Sequence, residues 1–175
     1  MKKEKLLFIL AFILFVNLSQ AQLIMIDGET GEYKYEDVVM VDGNQQLIQT
    51  RAKKWLEIYY PNKDSVKVKD TSLYKLGITS FTWRLIQKEI PIMIFYDIEI
   101  KTKDNKFKYQ FSNFREGKMN MGDIDAKALQ VYIERFPTRY QIYIEEPVDT
   151  EITKAINSLE YYILNGTVED IDDDW

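Results

Sequence analysis

The chain has neither histidine nor cysteine among its 175 residues. Without histidine, Ser-His-Asp and Cys-His catalysis is excluded, as are the usual imidazole metal sites. Without cysteine, the chain has no disulfide, no thiolate metal site and no lipid-modified cysteine. Any enzyme built on this sequence would have to use carboxylates, tyrosine, lysine or an oxygen-ligated ion. We expect no cofactor, and we expect packing alone to hold the fold together.

The amino terminus carries an apolar run with the order of a secretory signal peptide. Three lysines precede the run Leu6–Val16, and Ser19-Gln20-Ala21 supplies a small-x-small cleavage site. The run is too short and wrongly flanked for a stable membrane anchor. We therefore expect residues 1–21 to be removed on export, leaving a periplasmic or secreted chain with no stable transmembrane segment.

The residues that remain after this cleavage are acidic. Of the 23 basic and 28 acidic residues in the chain, residues 1–21 hold three and one, which leaves a formal net charge of −7. Such a chain is repelled by nucleic acid and by anionic membrane surfaces. We expect its partner to be a protein, a peptide or a glycan of the cell envelope, and not a nucleic acid.

One α+β domain is predicted over residues 33–165, between a leader at 22–32 and an acidic tail at 166–175. The tail holds five acids and has the composition of a disordered segment. Helices are predicted at 45–60, 123–136 and 149–164 from apolar residues at helical spacing. Strands are predicted at 33–41, 65–70, 80–87 and 139–145, with an ambiguous segment at 73–78 and a loop at 115–122.

The clearest local prediction is a hairpin that joins Pro91–Thr102 to Phe107–Phe114 through Asp104-Asn105. If Lys103 faces Lys106, then Thr102 faces Phe107, Ile100 faces Tyr109 and Ile98 faces Phe111. These side chains fall on one face of the sheet, where Ile92, Ile94 and Tyr96 join them. A slip of one residue would place these side chains against lysine and glutamine. This register opposes Lys101 to Lys108, a like-charge contact that is minor beside the aromatic pairs on the other face.

Two stretches resemble the bacterial domain of unknown function 4468 family, which has a fold like the TATA-box-binding protein (TBP). They are VVMVDGNQQLIQTRAKKWL at 38–56 and IEIKTKDNKFKYQFSNF at 98–114, within a likeness that spans residues 33–114. The resemblance implies a curved antiparallel sheet of about five strands with two to three helices packed on one face. It implies export but no activity and no site residues, and the fold name does not import DNA binding.

Asp97 and Glu99 are the candidate carboxylate pair, because residues two apart on a strand point to the same face. Paired carboxylates are what glycoside hydrolysis requires, with one acid protonated and the other ionised. The alternative is a solvated sheet face balanced by Lys101, and the sequence favours it.

Met93 and Phe95 are the candidate partner contact, since they fall on the face opposite the main apolar stripe. The alternative is that segment 115–148 covers them. With no catalytic constellation in view, the sequence favours a non-enzymatic envelope or secreted module that binds or assists a partner. A carboxylate-dependent enzyme acting on glycans, and a carrier of small ligands or peptides, remain as alternatives.

Overall fold

The computed structural model describes residues 25–26, 32–61, 65–85, 88–120, 123–136 and 138–166. The predicted signal peptide (residues 1–21), most of the predicted leader and the acidic tail from residue 167 onward lie outside these ranges.

The described residues form seven strands and three helices. The strands are β1 (Met25–Ile26), β2 (Tyr33–Met40), β3 (Lys67–Lys69), β4 (Ser72–Leu85), β5 (Lys88–Lys103), β6 (Lys106–Asn120) and β7 (Asp123–Ala128). The helices are α1 (Gln45–Tyr59), α2 (Leu129–Ile133) and α3 (Thr138–Asn165). The strands form one antiparallel sheet in the order β1-β2-β6-β5-β4-β3, and β7 pairs with the far half of β6. The α+β class, with a curved antiparallel sheet, is confirmed.

The β5–β6 hairpin has the predicted register. The paired positions include Ile98 with Phe111, Ile100 with Tyr109, Thr102 with Phe107 and Lys103 with Lys106. The apolar members of these pairs are all buried, and Lys101 lies opposite Lys108 as expected. Of the two turn residues only Asn105 adopts a positive φ, of 60°. The buried face therefore fixes the register, as the alternation of the side chains indicates.

The hairpin turn also holds the loop that leads into α1. Asn105 accepts a hydrogen bond from the Val41 backbone and donates one to the Gly43 carbonyl, at 3.1 and 2.9 Å. The Asp104 carboxylate accepts from the Gln45 backbone at 2.8 Å, and the Asn44 side chain caps the helix by accepting from the Leu47 backbone, also at 2.8 Å. The start of α1 is thus fixed by its own cap and by the turn of the hairpin.

The helices pack against one face of the sheet, which we call the covered face. The apolar stripe of α1 is buried there (Ile48, Ala52, Trp55 and Leu56) with that of α3 (Ile144, Val148, Ile152, Ile156, Leu159 and Ile163). Two tyrosines of β2 join the sheet to α3: Tyr33 donates to Glu145 at 2.6 Å and Tyr35 donates to Asp149 at 3.0 Å. The opposite side we call the open face.

Gly77 lies directly against an aromatic side chain in this core. It lies opposite Tyr96, and a Cβ at position 77 would come within 2.1 Å of the Tyr96 ring. Tyr96 also stacks on Phe114, with 5.3 Å between ring centroids, and donates to the Tyr60 hydroxyl at 3.2 Å. The glycine therefore makes room for an aromatic side chain in the middle of β4, where the sequence left residues 73–78 ambiguous.

The predictions for residues 115–145 were largely wrong. The predicted loop at 115–122 continues strand β6 to Asn120, and the first half of the helix predicted at 123–136 is strand β7. The strand predicted at 139–145 is the first part of α3, which runs on through Pro147. The buried residues at 144, 148, 152 and 156 follow one helical stripe across this proline, so tertiary burial overrides the local break.

Candidate functional site

The open face carries a group of lysines at the hairpin end of the sheet. In the register, Lys69 of β3 lies opposite Ser72, Ser72 opposite Lys101, and Lys101 opposite Lys108. Lys103 and Lys106 form the next opposed pair toward the turn. We call these five residues the lysine patch: Lys69, Lys101, Lys103, Lys106 and Lys108.

Two members of the lysine patch are neutralised by glutamates of neighbouring positions. Lys108 pairs with Glu36 at 2.8 Å, and Lys101 pairs with Glu99 at 3.1 Å. The hydrogen bond from Lys108, helped by Lys34, holds the pKa of Glu36 below its ordinary value despite some desolvation. Within the described part of the chain, Lys69, Lys103 and Lys106 have no ion pair.

Exposed apolar side chains border the lysine patch. Val38 is 51% exposed and Met40 is 68% exposed, and both project from β2 on the open face. Their register partners in β6 are Lys108 and Lys106. A basic surface with adjoining apolar side chains suits a ligand that is both acidic and partly apolar. Sequence reasoning noted only the Lys101–Lys108 contact; counting lysines on the outward face of the predicted hairpin would have located the patch.

Asp97 and Glu99 point to the open face, as predicted, but each is engaged by a different partner. Asp97 accepts hydrogen bonds from the Asn113 amide and from Arg115, both at 2.6 Å. Glu99 pairs with Lys101 instead. This arrangement favours the interpretation of the two acids as parts of an ion-paired sheet surface.

A bulge in β6 creates the Asp97 contacts. Between the pairs Phe95–Arg115 and Asp97–Ser112, β6 holds two residues where β5 holds one. One of them, Asn113, has φ of 54°, a conformation that asparagine tolerates better than most residues. The extra residue brings both Asn113 and Arg115 to Asp97, which sequence reasoning missed because it ended the strand at Phe114.

Met93 and Phe95 do not form an exposed apolar patch. Phe95 is fully buried, with 0% of its surface exposed, and Met93 is half-buried. Phe95 lies outside the main core cluster, between its register partners Ile78 and Arg115 on the open face. Arg115, which lies opposite Phe95 in β6, forms an ion pair with Asp97. The interpretation of Phe95 as an accessible contact is therefore wrong.

A depression lies at the β3 edge of the sheet. Strand β3 pairs with the first three residues of β4, Ser72, Leu73 and Tyr74. The depression, of about 410 Å³, lies where β3 ends and is lined by Ser65, Lys67, Tyr74, Lys75, Leu76, Asp97 and Ile98.

Buried hydroxyls on the covered face stay protonated and act as donors. Burial raises the pKa of the Tyr33 hydroxyl and that of the Tyr35 hydroxyl well above the ordinary tyrosine value. Their carboxylate partners on α3 raise both pKa values further. Neither hydroxyl is suited to act as a base near neutral pH. Over the described ranges, no three acidic side chains come together as a metal site would require. No helix in those ranges has the length and apolar character to span a membrane.

The sheet with helices on one face defines a TBP-like α+β protein. The fold matches the crystal structure of a TBP-like protein from Parabacteroides distasonis ATCC 8503 with a TM-score of 0.53 and 13% identity, covering 78% of this chain and 98% of that one. A DUF4468 family protein from Bacteroides ovatus ATCC 8483 matches with a TM-score of 0.57 and 10% identity, over 82% of this chain and 92% of that one.

The sequence agrees with this class. Residues 35–116 match the domain of unknown function DUF4468, which is described as having a TBP-like fold. The resemblance to this family that was predicted over residues 33–114 is confirmed by this match. No curated protein matches the chain. Because the identities to the two solved structures are only 13% and 10%, these structures are evidence for the fold alone.

Proposed function

We propose that the chain is an exported, non-enzymatic module of the bacterial envelope that binds a protein partner through the open face of its sheet. The observation that carries this proposal is the difference between the two faces. The helices cover one face, whereas the hairpin end of the other presents the lysine patch beside exposed Val38 and Met40. Exposed apolar side chains within a charged rim are characteristic of protein contact surfaces.

Export is the first part of the proposal to test. The expected mature chain begins at Gln22 and is recovered from periplasmic or culture-medium fractions. Mass spectrometry of the amino terminus, together with fractionation of the native host, measures this directly. An intact amino terminus in a cytosolic fraction would contradict export.

The binding surface is tested by comparing matched variants in capture experiments. Val38→Asp/Met40→Asp places two charges on the open face, and the control Ile142→Asp/Tyr161→Asp places two on exposed positions of α3. We expect a partner captured from envelope extract by the wild type to be lost with the open-face variant and retained with the control. Equal capture by both variants would show that the open face is not the surface used.

A peptide carrier is the second candidate function, and the depression where β3 ends favours it. An extended peptide could lie along this depression and place a side chain beside Leu76. Peptides selected by display against the wild-type chain should then lose binding to Leu76→Glu and keep binding to Tyr161→Glu. Selected peptides that bind Leu76→Glu as well as the wild type would count against this candidate.

A further inference from the structure

The lysine patch places like charges directly opposite each other, which is unfavourable in the isolated sheet. Lys101 faces Lys108 and Lys103 faces Lys106 across adjacent strands. Opposed like charges destabilise a strand pair. Glu99 and Glu36 relieve the first pair, but the second has no acidic partner within the described ranges. The surface around Lys103 and Lys106 is thus complementary to an anionic ligand.

The last turn of α3 lies near the hairpin end of the sheet. The Ile163 carbonyl accepts from Arg51 of α1 at 2.7 Å, and Trp55, one turn further along α1, donates to Ser158 at 3.1 Å. The two helices therefore run antiparallel, and α3 ends toward the start of α1. That start is bonded to Asp104 in the hairpin turn. At about 1.5 Å per helical residue, Arg51 lies about 9 Å along α1 from Gln45.

The chain that follows α3 has the chemistry that the patch requires. Residues 168–175 read VEDIDDDW, with five acids and the apolar residues Val168, Ile171 and Trp175. The acids complement the lysines, and the apolar residues complement exposed Val38 and Met40 beside them. Nine residues after Gly166 can span about 30 Å when extended, enough to pass the hairpin turn and reach the open face.

We propose that residues 168–175 bind the lysine patch of the same chain and cover the hairpin end of the open face. The segment would compete with the protein partner for that surface, and this competition rests on the proposed function. The binding of residues 168–175 to the lysine patch does not depend on it. A tethered segment has a high effective concentration, so modest contacts suffice to occupy the patch.

Zero-length cross-linking of the full chain with a carbodiimide tests the contact, because it joins lysines only to carboxylates in direct contact. We expect links from residues 169–174 to Lys103 or Lys106, within monomers, and their loss at about 1 M salt, where the screening length is about 3 Å. Lys103→Gln/Lys106→Gln should lose most tail links. The matched control Lys53→Gln/Lys154→Gln removes the same charge from the helices and should retain them.

Three results would overturn the proposal. Tail links spread evenly over Lys53, Lys154 and the patch would show no preferred site. Links between two chains would assign the patch to a second copy. A tail with its acids replaced by amides should also change the amide NMR signals of residues 101–108, and unchanged signals would contradict the contact. If tail links fail while Val38→Asp/Met40→Asp abolishes partner capture, the proposed function stands without this inference. If tail links form while the same variant leaves partner capture unchanged, this inference stands without the proposed function.

Discussion

On the covered face of the sheet, Tyr109 and Phe111 of β6 are fully buried among aromatic and aliphatic neighbours, whereas on the open face the same strand presents Lys108 and Gln110. The alternation of side chains along one strand thus separates two kinds of surface. Burial of apolar area stabilises the covered face, and exposed ion pairs contribute little on the open face. Substitutions on the covered face should therefore affect folding, and those on the open face should mainly affect binding.

The largest expected effect is at the centre of the covered face. Phe111→Ala should lower the free energy of unfolding by about 3–5 kcal/mol, because it removes a fully buried ring from beside Tyr109 and Tyr96. Urea unfolding followed by circular dichroism measures the loss. The control Met40→Ala, on the open face, should change the same quantity by no more than about 0.5 kcal/mol. Similar losses for both variants would break the distinction between the faces.

Gly77→Ala should have the next largest effect. It should lower the free energy of unfolding by about 1–3 kcal/mol, because the added methyl group meets the Tyr96 ring. The ring is held by Phe114 and by the Tyr60 hydroxyl and has little room to move. In a Tyr96→Ala background the same substitution should cost little. A double-mutant cycle of unfolding free energies checks this, and additive losses would show that Tyr96 is not the obstacle.

Tyr35→Phe should cost about 1–2 kcal/mol, because it removes a partly buried hydrogen bond to the Asp149 carboxylate and leaves that acid without its donor. Tyr161→Phe, which alters an exposed hydroxyl of α3, is the matched control and should be neutral. Thermal unfolding of the two variants side by side provides the measurement. A loss at Tyr161 as large as at Tyr35 would argue against a specific strand–helix bond.

Asp97→Ala/Glu99→Ala tests the open face directly. We expect a stability change of about 1 kcal/mol or less, since both acids form exposed ion pairs. Turnover in a panel of glycan assays should be the same as for the wild type. Any glycan-cleaving activity that the wild type has and this variant lacks would establish the carboxylate-dependent enzyme instead.

The smallest effect concerns Glu160 of α3 and appears as a dependence on pH. Burial raises the pKa of Glu160, nearby Asp37 adds to the rise, and the Tyr109 hydroxyl opposes it by donating a hydrogen bond. The ionised form is therefore less favourable in the folded state. The folded chain loses stability as pH rises from the unfolded-state pKa of about 4.3 to the higher folded-state pKa. Above the folded-state pKa the loss is complete and constant.

Glu160→Gln should consequently be more stable than the wild type at pH 7 and should lose that advantage below the unfolded-state pKa. Unfolding curves at both pH values provide the test. A variant that is less stable than the wild type at pH 7 would mean that the Tyr109 bond outweighs the cost of burying the charge.

The sequence predicted the parts of the fold in which local pattern and burial agree. The α1 stripe and the β5–β6 register were predictable because both sides of each pattern lie within about fifteen consecutive residues. The course of residues 115–145 was not, because it depends on the bulge at Asn113 and on pairing between β6 and β7. Pro147 likewise suggested a break that burial against the sheet overrides.

The candidate site was predictable in part for the same reason. Alternation places Asp97 and Glu99 on one face, but only the bulge brings Asn113 and Arg115 to Asp97. Alternation also places Phe95 away from the core, yet Ile78 and Arg115 from two other strands flank it. Contacts that join separate strands across a bulge leave no periodic signal in the sequence.

The turn at Asp104-Asn105 couples the tip of the hairpin to the first turn of α1. Asn105 also holds the Gly43 loop, and the Asp104 carboxylate accepts a hydrogen bond from the Gln45 amide. A ligand that draws this tip outward would strip hydrogen bonds from the amino-terminal end of the helix. Amide hydrogen exchange at residues 43–47 would accelerate on such binding. The exchange rates of these amides would therefore report ligand binding at the open face.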